Sequence, residues 1–357
     1  MESIKILILT NAVPTYRVPL FEKISDKHET KIAVYSNSSF SKINNLHIDY
    51  FKIKKMGNFI VVERSLFNYI KNFDVIINDF NFHVPQLYFF FLFSKIYNFK
   101  LINWGIGVSA SYNKRFDSDK KYDFIRFKLF SLAKACVFYS DYARQRYIKY
   151  GVNRNKLFVA NNSVQVKNNS FSKAQDYFIF VGTLYKEKKI IHLLNCYLAC
   201  HKINSNIKPL VIIGDGDEYS NIKIFIKNNN LENNISLKGA IYDESSLAVL
   251  IKNAVAMISP NQAGLSVLLS FGYGIPFICN NNAITGGERL NIINEFNGYL
   301  YDTNEELMNI ILNLNSNYSL VELLSKNAYN YYNSKASMEL MVAEFLNAIK
   351  YSVNDFK

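Results

Sequence analysis

The stretch Met257–Glu288, MISPNQAGLSVLLSFGYGIPFICNNNAITGGE, leaves this chain little choice of fold. An apolar run from Ala254 to Ser259 predicts a strand and ends in a loop, Pro260 to Gly264. A short apolar helix follows, roughly Leu265 to Phe271, and Gly274 and Pro276 stop it before a second strand, Pro276 to Cys279. Strand, short loop, helix, strand is the repeating unit of a parallel sheet, because parallel neighbours need a crossover long enough to hold a helix. In such sheets ligands gather at the carboxyl ends of the strands, where a helix N-terminus turns unpaired N–H groups toward an anion. Gly264 allows a close backbone approach, and Ser266 adds a hydroxyl. An ordinary buried crossover reads the same way, so the rest of the chain has to decide.

The alternation recurs upstream. Ile4–Leu9, Ile32–Tyr35, Val75–Ile77, Leu101–Asn103, Ala135–Tyr139 and Phe158–Ala160 predict short buried strands with helical stretches between them, a doubly wound pattern. Three of their loops should open at one sheet edge. These are Thr10–Arg17, ahead of a helix with Pro19 in its first turn, then Asn78–His83, then Trp104–Gly107. Tyr16, Arg17, His83, Trp104 and Gly105 therefore become candidates for one binding edge. His83 can move protons near neutral pH, or it can be a plain surface histidine.

A polar stretch, Asn161 to Asp176, precedes a second doubly wound set. Phe178–Val181 enters Gly182-Thr183-Leu184-Tyr185-Lys186-Glu187-Lys188-Lys189 and a helix through Cys200. Leu210–Ile213 ends in Gly214-Asp215-Gly216, and Ile235–Leu237 leads to Gly239-Ala240-Ile241-Tyr242. Helices over Ser319–Asn333 and Ser337–Tyr351 close the chain. Since single cores seldom grow past roughly 250–300 residues, 357 residues predict two domains. The expected boundaries are 1–165, a linker at 166–176, 177–335, and a C-terminal helix, 336–357, packing back on the first domain. No G-x-G-x-x-G follows any strand, which argues against a dinucleotide dehydrogenase.

Composition narrows the partners. The first 168 residues carry a net charge of +14 and the remainder −2, so the basic excess lies wholly in the first half. That bias suits membrane lipid, phosphate or nucleic acid, and the absence of nucleic-acid-binding motifs ranks the last of these low. Between Lys114 and Lys134 basic residues (Lys114, Arg115, Lys120, Lys121, Arg126, Lys128, Lys134) interleave with Tyr122, Phe124, Phe127 and Phe130. Such a segment can lie on an anionic membrane, or its aromatics can pack into the core. Cys136, Cys196, Cys200 and Cys279 lack the paired spacing of a metal site or a disulfide framework. The chain opens directly as a strand, and its longest aromatic run, Leu87–Phe93, is too short to span a bilayer, so a cytoplasmic location is expected.

With these residues in view, the chain resembles the retaining family-4 glycosyltransferases of the GT-B fold. The resemblance rests on an ordered set of short motifs. In the second half they are Val181-Gly182-Thr183-Leu184 with Lys188, Gly214-Asp215-Gly216, Gly239-Ala240-Ile241, Ser259-Pro260, Gly274-Ile275-Pro276, Gly286-Gly287-Glu288 and Asn297-Gly298. In the first half they are Pro14–Phe21, Trp104-Gly105-Ile106-Gly107 and Asn162-Ser163. The sequence departs from the family where paired glutamates would fall on Asn261 and Leu269, a phosphate-binding arginine on Thr183, and a histidine on Ile106.

The resemblance implies an α/β chain of two facing Rossmann-like doubly wound parallel-sheet domains. It implies transfer of a sugar, with retention and without a metal or further cofactor, from a UDP- or GDP-linked donor. Gly182, Thr183, Lys188, Gly214, Ile241, Tyr242 and the loop Asn261, Gln262, Ala263, Gly264, Leu265 and Ser266 would hold the nucleotide sugar. Lys188 would neutralise the leaving diphosphate, and Glu288, expected to begin a helix to Ile293, would accept from the donor hydroxyls in place of the missing glutamates. His83 would serve in catalysis or with Tyr16, Arg17, Trp104 and Gly105 on the acceptor. A lipid-linked oligosaccharide at the inner face of an anionic membrane, in surface polysaccharide assembly such as O-antigen or capsule, is the expected acceptor. A non-catalytic family member that only binds nucleotide or glycan is the rival, favoured by the lost glutamates.

Overall fold

A computed structural model describes residues 4–37, 45–110, 115–118, 120–167 and 175–354. The chain forms two compact units, one of residues 1–109, 117–162 and 338–357, the other of 110–116 and 163–337. The change of unit falls between Asn162 and Ser163, ahead of the expected linker at 166–176, of which 168–174 lie outside the described residues. Ser163 is tied to the second unit by its hydroxyl, which donates to the Ala336 carbonyl, and the Tyr332 hydroxyl donates to Val164 O at 2.6 Å.

In the first unit the strands are β1 (Lys5–Thr10), β2 (Glu29–Tyr35), β3 (Ile48–Phe51), β4 (Ile53–Met56), β5 (Phe59–Val62), β6 (Val75–Asp79), β7 (Lys100–Gly105), β8 (Ala135–Phe138) and β9 (Leu157–Val159). Seven of them make one parallel sheet in the order β3-β2-β1-β6-β7-β8-β9, while β4 and β5 pair only with each other, as a hairpin. Helices α1 (Val18–Ser25), α2 (Ser65–Tyr69), α3 (Phe90–Ile96), α4 (Asp123–Ser131) and α5 (Asp141–Lys149) lie between the strands. Ile6, Ile8, Ile77, Ile102 and Val137 pack in one core with Met341, Phe345 and Ile349 of the C-terminal helix.

The second unit holds β10 (Tyr177–Val181), β11 (Leu210–Ile213), β12 (Ile235–Leu237), β13 (Ala254–Ile258), β14 (Phe277–Asn280) and β15 (Gly298–Tyr301), all parallel in the order β12-β11-β10-β13-β14-β15. Its helices are α6 (Ile190–Ile203), α7 (Tyr219–Asn228), α8 (Glu244–Lys252), α9 (Ser266–Gly272), α10 (Asn304–Ser316) and α11 (Tyr318–Tyr331). The chain then returns to the first unit as α12 (Met338–Val353). Successive residues of a strand point to opposite faces. Phe178 and Phe180 accordingly enter one core, while Ile179 enters the other. All four cysteines are buried free thiols.

In both sheets the first strand lies inside, with the next strands on one side and the later ones on the other. The strand order therefore reverses between β1 and β6 and between β10 and β13, and at such a reversal the loops part to leave a ligand crevice.

Candidate functional site

At the reversal point of the second sheet the key group is Lys188. The residues Lys186–Lys188 form a 3-10 turn, and Lys189, left-handed at φ 54°, passes the chain into α6. This geometry separates lysines that the sequence presents as equals. Lys186 and Lys189 are exposed, whereas Lys188 is only 8% exposed. Its ammonium lies 5.6 Å from the Tyr185 ring centroid and 6.0 Å from that of Phe180, and a Cβ on Gly182 would stand 3.2 Å from it. Among the described residues it makes no hydrogen bond or ion pair. Burial without a partner pulls its pKa from 10.5 down to about 8. A buried cation without a counter-charge is costly, and an anion bound there would remove that cost.

The loops around Lys188 are cross-braced. Asn261 Nδ2 donates to Glu187 O at 2.8 Å, the Tyr185 hydroxyl bonds the Gln262 side-chain oxygen, and Ser259 Oγ donates to Gln262 O at 2.7 Å. Ala263 N and Ile284 O, at 2.9 Å, join the loops after β13 and β14. Gly264 lies in the open, where a Cβ would meet nothing within 4 Å. Thr183 is exposed, Ile241 and Ser266 are half-buried, and Tyr242 is 91% exposed. Leu265 precedes the two-turn α9, whose first amides have no acceptor within the helix. The glycines of Gly214-Asp215-Gly216 have a packing reason. A Cβ on Gly214 would lie 1.9 Å from Gly182 O, and one on Gly216 2.5 Å from Leu184 O.

Two expectations change. Glu288 opens a 3-10 turn ending at Asn291, not a helix to Ile293, because Gly287 at φ 123° turns the chain too sharply for one. The Glu288 carboxylate is buried and folds back on its own loop. Its Oε2 accepts from Gly286 N at 2.9 Å and from the Thr285 hydroxyl at 3.3 Å. Leu269, in place of a glutamate, packs against the apolar core of the sheet.

The first sheet's reversal point holds a different arrangement. Arg17, 6% exposed, lies over the rings of Trp104, Tyr139 and Tyr16, its Cζ 4.5, 5.0 and 5.2 Å from their centroids. One Nη donates to the Tyr139 hydroxyl at 2.8 Å, and the other has no partner. Trp104 is a core residue, edge-on to Phe21, Tyr139 and Phe345, so its part is to carry Arg17. Gly105 follows it at the end of β7.

Asp79, at the end of β6, escaped the sequence reading. The Thr10 hydroxyl lies 3.0 Å from Asp79 Oδ2 and 3.1 Å from Ala12 O. One hydroxyl hydrogen cannot serve both acceptors, so both bonds form only when the carboxyl itself is protonated. Burial raises the Asp79 pKa in the same direction, against the opposing pull of Arg17 and the Thr10 bond. An acid ending a strand at the reversal point was a legible signal, but in the loop it shares with His83 the histidine drew the attention. His83 is exposed, and its Nδ1 lies 3.0 Å from Asn58 O of the hairpin. That contact makes it a brace for β4–β5.

The basic segment is partly neutralised within the chain. Lys114 lies outside the described residues. Lys120 pairs with Asp117, Arg126 with Asp123 at 2.8 Å, and Arg146 with both acids. Phe127 and Phe130 are core residues, while Tyr122 and Phe124 are exposed. Among the described residues no group of three or more His, Cys, Asp or Glu side chains could hold a metal ion.

Two doubly wound units of this kind define the GT-B fold. HepE of Anabaena in complex with UDP superposes with a TM-score of 0.73 at 14% identity, over 97% of this chain and 100% of that one. The apo lipopolysaccharide outer core galactosyltransferase WaaB gives 0.70 at 16%, over 97% and 99%. Residues 161–331 match the family Glycosyl transferases group 1. An uncharacterized glycosyltransferase of Methanocaldococcus jannaschii is 26% identical over 183 residues, 49% of this chain. That stretch spans 45% of the relative's length.

Proposed function

We propose that the protein is a glycosyltransferase that takes a nucleotide sugar on its second unit and a hydroxyl-bearing acceptor on its first. The observation that carries this reading is Lys188, a lysine only 8% exposed whose ammonium makes no hydrogen bond or ion pair among the described residues, at the reversal point of a sheet in the segment that matches the group 1 family. Negative charge grows on the leaving diphosphate in the transition state, and a cation already aimed at it stabilises that state without reorganisation. HepE has been solved with UDP and with UDP-glucose, which supports a uridine nucleotide as the first donor to try. The family resemblance supports transfer with retention. Arg17 and Asp79 suit an acceptor hydroxyl, which can accept from the guanidinium and, where Asp79 is ionised, donate to its carboxylate. A lipid-linked acceptor at the inner, cytoplasmic face of an anionic membrane fits the basic first half.

A panel of UDP- and GDP-sugars tests the reading by thermal shift, since a ligand bound only by the native state raises the melting temperature. The expected result is a shift with one donor class, followed by slow hydrolysis of that donor. No shift with any nucleotide sugar overturns it. A shift without hydrolysis or transfer favours a non-catalytic binding subunit, the reading that Leu269 and Asn261 support by standing where the family carries glutamates.

A further inference from the structure

The β4–β5 hairpin has an unusual tip. Its two-residue loop is Gly57-Asn58, with Gly57 left-handed at φ 60° as a tight hairpin turn requires. The residues flanking it, Met56 and Phe59, are cross-strand partners and so stand on one face of the ribbon. They are 58% and 50% exposed. Behind them Lys52, Lys54 and Lys55 are exposed as well, and no acid interrupts that run. The apolar pair therefore projects into water inside a collar of positive charge.

The chain holds this tip out rigidly. Ile60 N donates to His83 O at 2.8 Å, and the His83 ring bonds Asn58 O. Gln86 accepts from Val62 N at 2.6 Å and donates to Val62 O at 2.8 Å. The strapped segment continues through a 3-10 turn ending at Phe89 into α3, and Phe89, with Leu92 and Ile96 of the helix, is exposed beside Lys95. A loose hairpin could fold its apolar tip back onto the unit; this one is fixed by four hydrogen bonds that prevent it.

We propose that this hairpin docks the first unit on an anionic lipid bilayer, with Met56 and Phe59 entering the apolar layer and Lys52, Lys54 and Lys55 meeting the headgroup phosphates. An apolar tip collared by cations matches the layering of that surface, hydrocarbon beneath phosphate. The proposal deepens the membrane reading above and moves the contact away from the ion-paired segment around α4. It does not depend on which sugar the protein transfers.

Trp104 is the sole tryptophan and is buried, so Phe59→Trp adds a separate reporter at the tip. With full-length protein and vesicles of phosphatidylcholine and phosphatidylglycerol in equal parts, the fluorescence of the introduced indole should shift to the blue and be quenched by brominated lipid. Met56→Ser with Phe59→Ser should weaken vesicle flotation at least about tenfold. Lys54→Glu with Lys55→Glu should weaken it about as much at ~0.1 M salt and less at ~0.5 M, where screening is stronger. Equal binding to pure phosphatidylcholine, no binding to either vesicle, or binding lost only on reversal of Lys121 and Lys128 overturns the proposal. The nucleotide-sugar thermal shift, measured on the same tip variants, should be unchanged and serves as the folding control. If vesicle binding follows the tip but no donor gives a shift, the docking surface stands and the glycosyltransferase reading falls.

Discussion

The reversal point of the first sheet holds a guanidinium among three aromatic rings with a carboxylate nearby, and that of the second holds an ammonium with no counter-charge. Both cations are nine-tenths buried, and both stand where a strand has just ended. Their electrostatics differ. Arg17 is packed among rings beside the buried Asp79 carboxyl, so the pair presents one donor and, where Asp79 is ionised, one acceptor. Lys188 is unbalanced and titratable, so its pocket gains most from a ligand that brings negative charge. The same reversal of strand order thus yields an edge with an acid beside its cation in one unit and an anion-seeking edge in the other. The proposed division of acceptor and donor between the units rests on that contrast.

The largest effect that can break it is at Lys188. Lys188→Met should lower nucleotide-sugar turnover by at least about 100-fold, or 2.7 kcal/mol, while the melting temperature holds or rises because an uncompensated buried charge is gone. Steady-state kinetics beside thermal melts would decide. If Lys186→Met does equal damage, the ammonium that matters is not the buried one.

The same contrast predicts a pH response in one unit only. Lys188 gives up its proton near pH 8 in the native chain and near 10.5 when unfolded, so between those values the unfolded chain binds more protons and stability should rise with pH. Nucleotide affinity should move the opposite way, because a diphosphate favours the charged lysine. Calorimetric titration should find UDP binding weakening by up to about tenfold per pH unit above 8, and Lys188→Arg should flatten the curve. A flat profile in the unsubstituted protein would mean that the lysine does not meet the diphosphate.

How much of this was legible beforehand follows from how local each signal is. The apolar runs that became β6, β11 and β13 are continuous and buried on both faces, so periodicity and loop glycines were enough to find them. The hairpin was not legible. Ile53–Met56 is half lysine, and Phe59–Val62 is four residues long, so neither shows an alternating pattern of useful length. The family motif singles out Lys188, but that it is the buried lysine of the three needed the left-handed turn at Lys189, which lysine does not announce. Gly214 reads as a nucleotide-sugar contact because close backbone approach has one signature, whether the partner is a ligand or another loop. Asp79 was legible as an acid ending a strand, but its bond to Thr10 appeared only once β1 and β6 were neighbours.

A smaller effect should separate Arg17 from Asp79. Because burial raises the Asp79 pKa, the native chain holds a proton there that the unfolded chain has already released, and stability should fall as pH rises through that window. Asp79→Asn should remove this slope and stabilise modestly at neutral pH. Arg17→Met should destabilise by about 2–3 kcal/mol through lost packing and an uncompensated carboxylate, and by clearly less in the Asp79→Asn background. Denaturant titrations of the four proteins give the coupling. Nucleotide binding should be within twofold of the unsubstituted protein in all of them.

The finest test concerns Glu288, where the sequence pointed to a donor contact and the structure shows a carboxylate turned onto its own loop. Gly286 N, the Thr285 hydroxyl and the turn at Gly287 are organised around Oε2. Thr285 Oγ1 in turn accepts from Gly287 N at 3.0 Å and Arg289 N at 3.1 Å, so the carboxylate and the hydroxyl together hold the loop after β14. Glutamine can keep one acceptor for these bonds but loses the charge that strengthens them, a difference of about 1 kcal/mol. Glu288→Gln should therefore lower stability by about that amount. Donor KM should rise only a few-fold, through a loosened loop, with kcat nearly unchanged. A residue that touched the donor hydroxyls directly would show the reverse: about tenfold or more in kcat/KM with the melting temperature intact. That outcome would require the carboxylate to swing out of its loop when nucleotide binds, and it would move donor recognition in this unit from one lysine to a lysine and an acid.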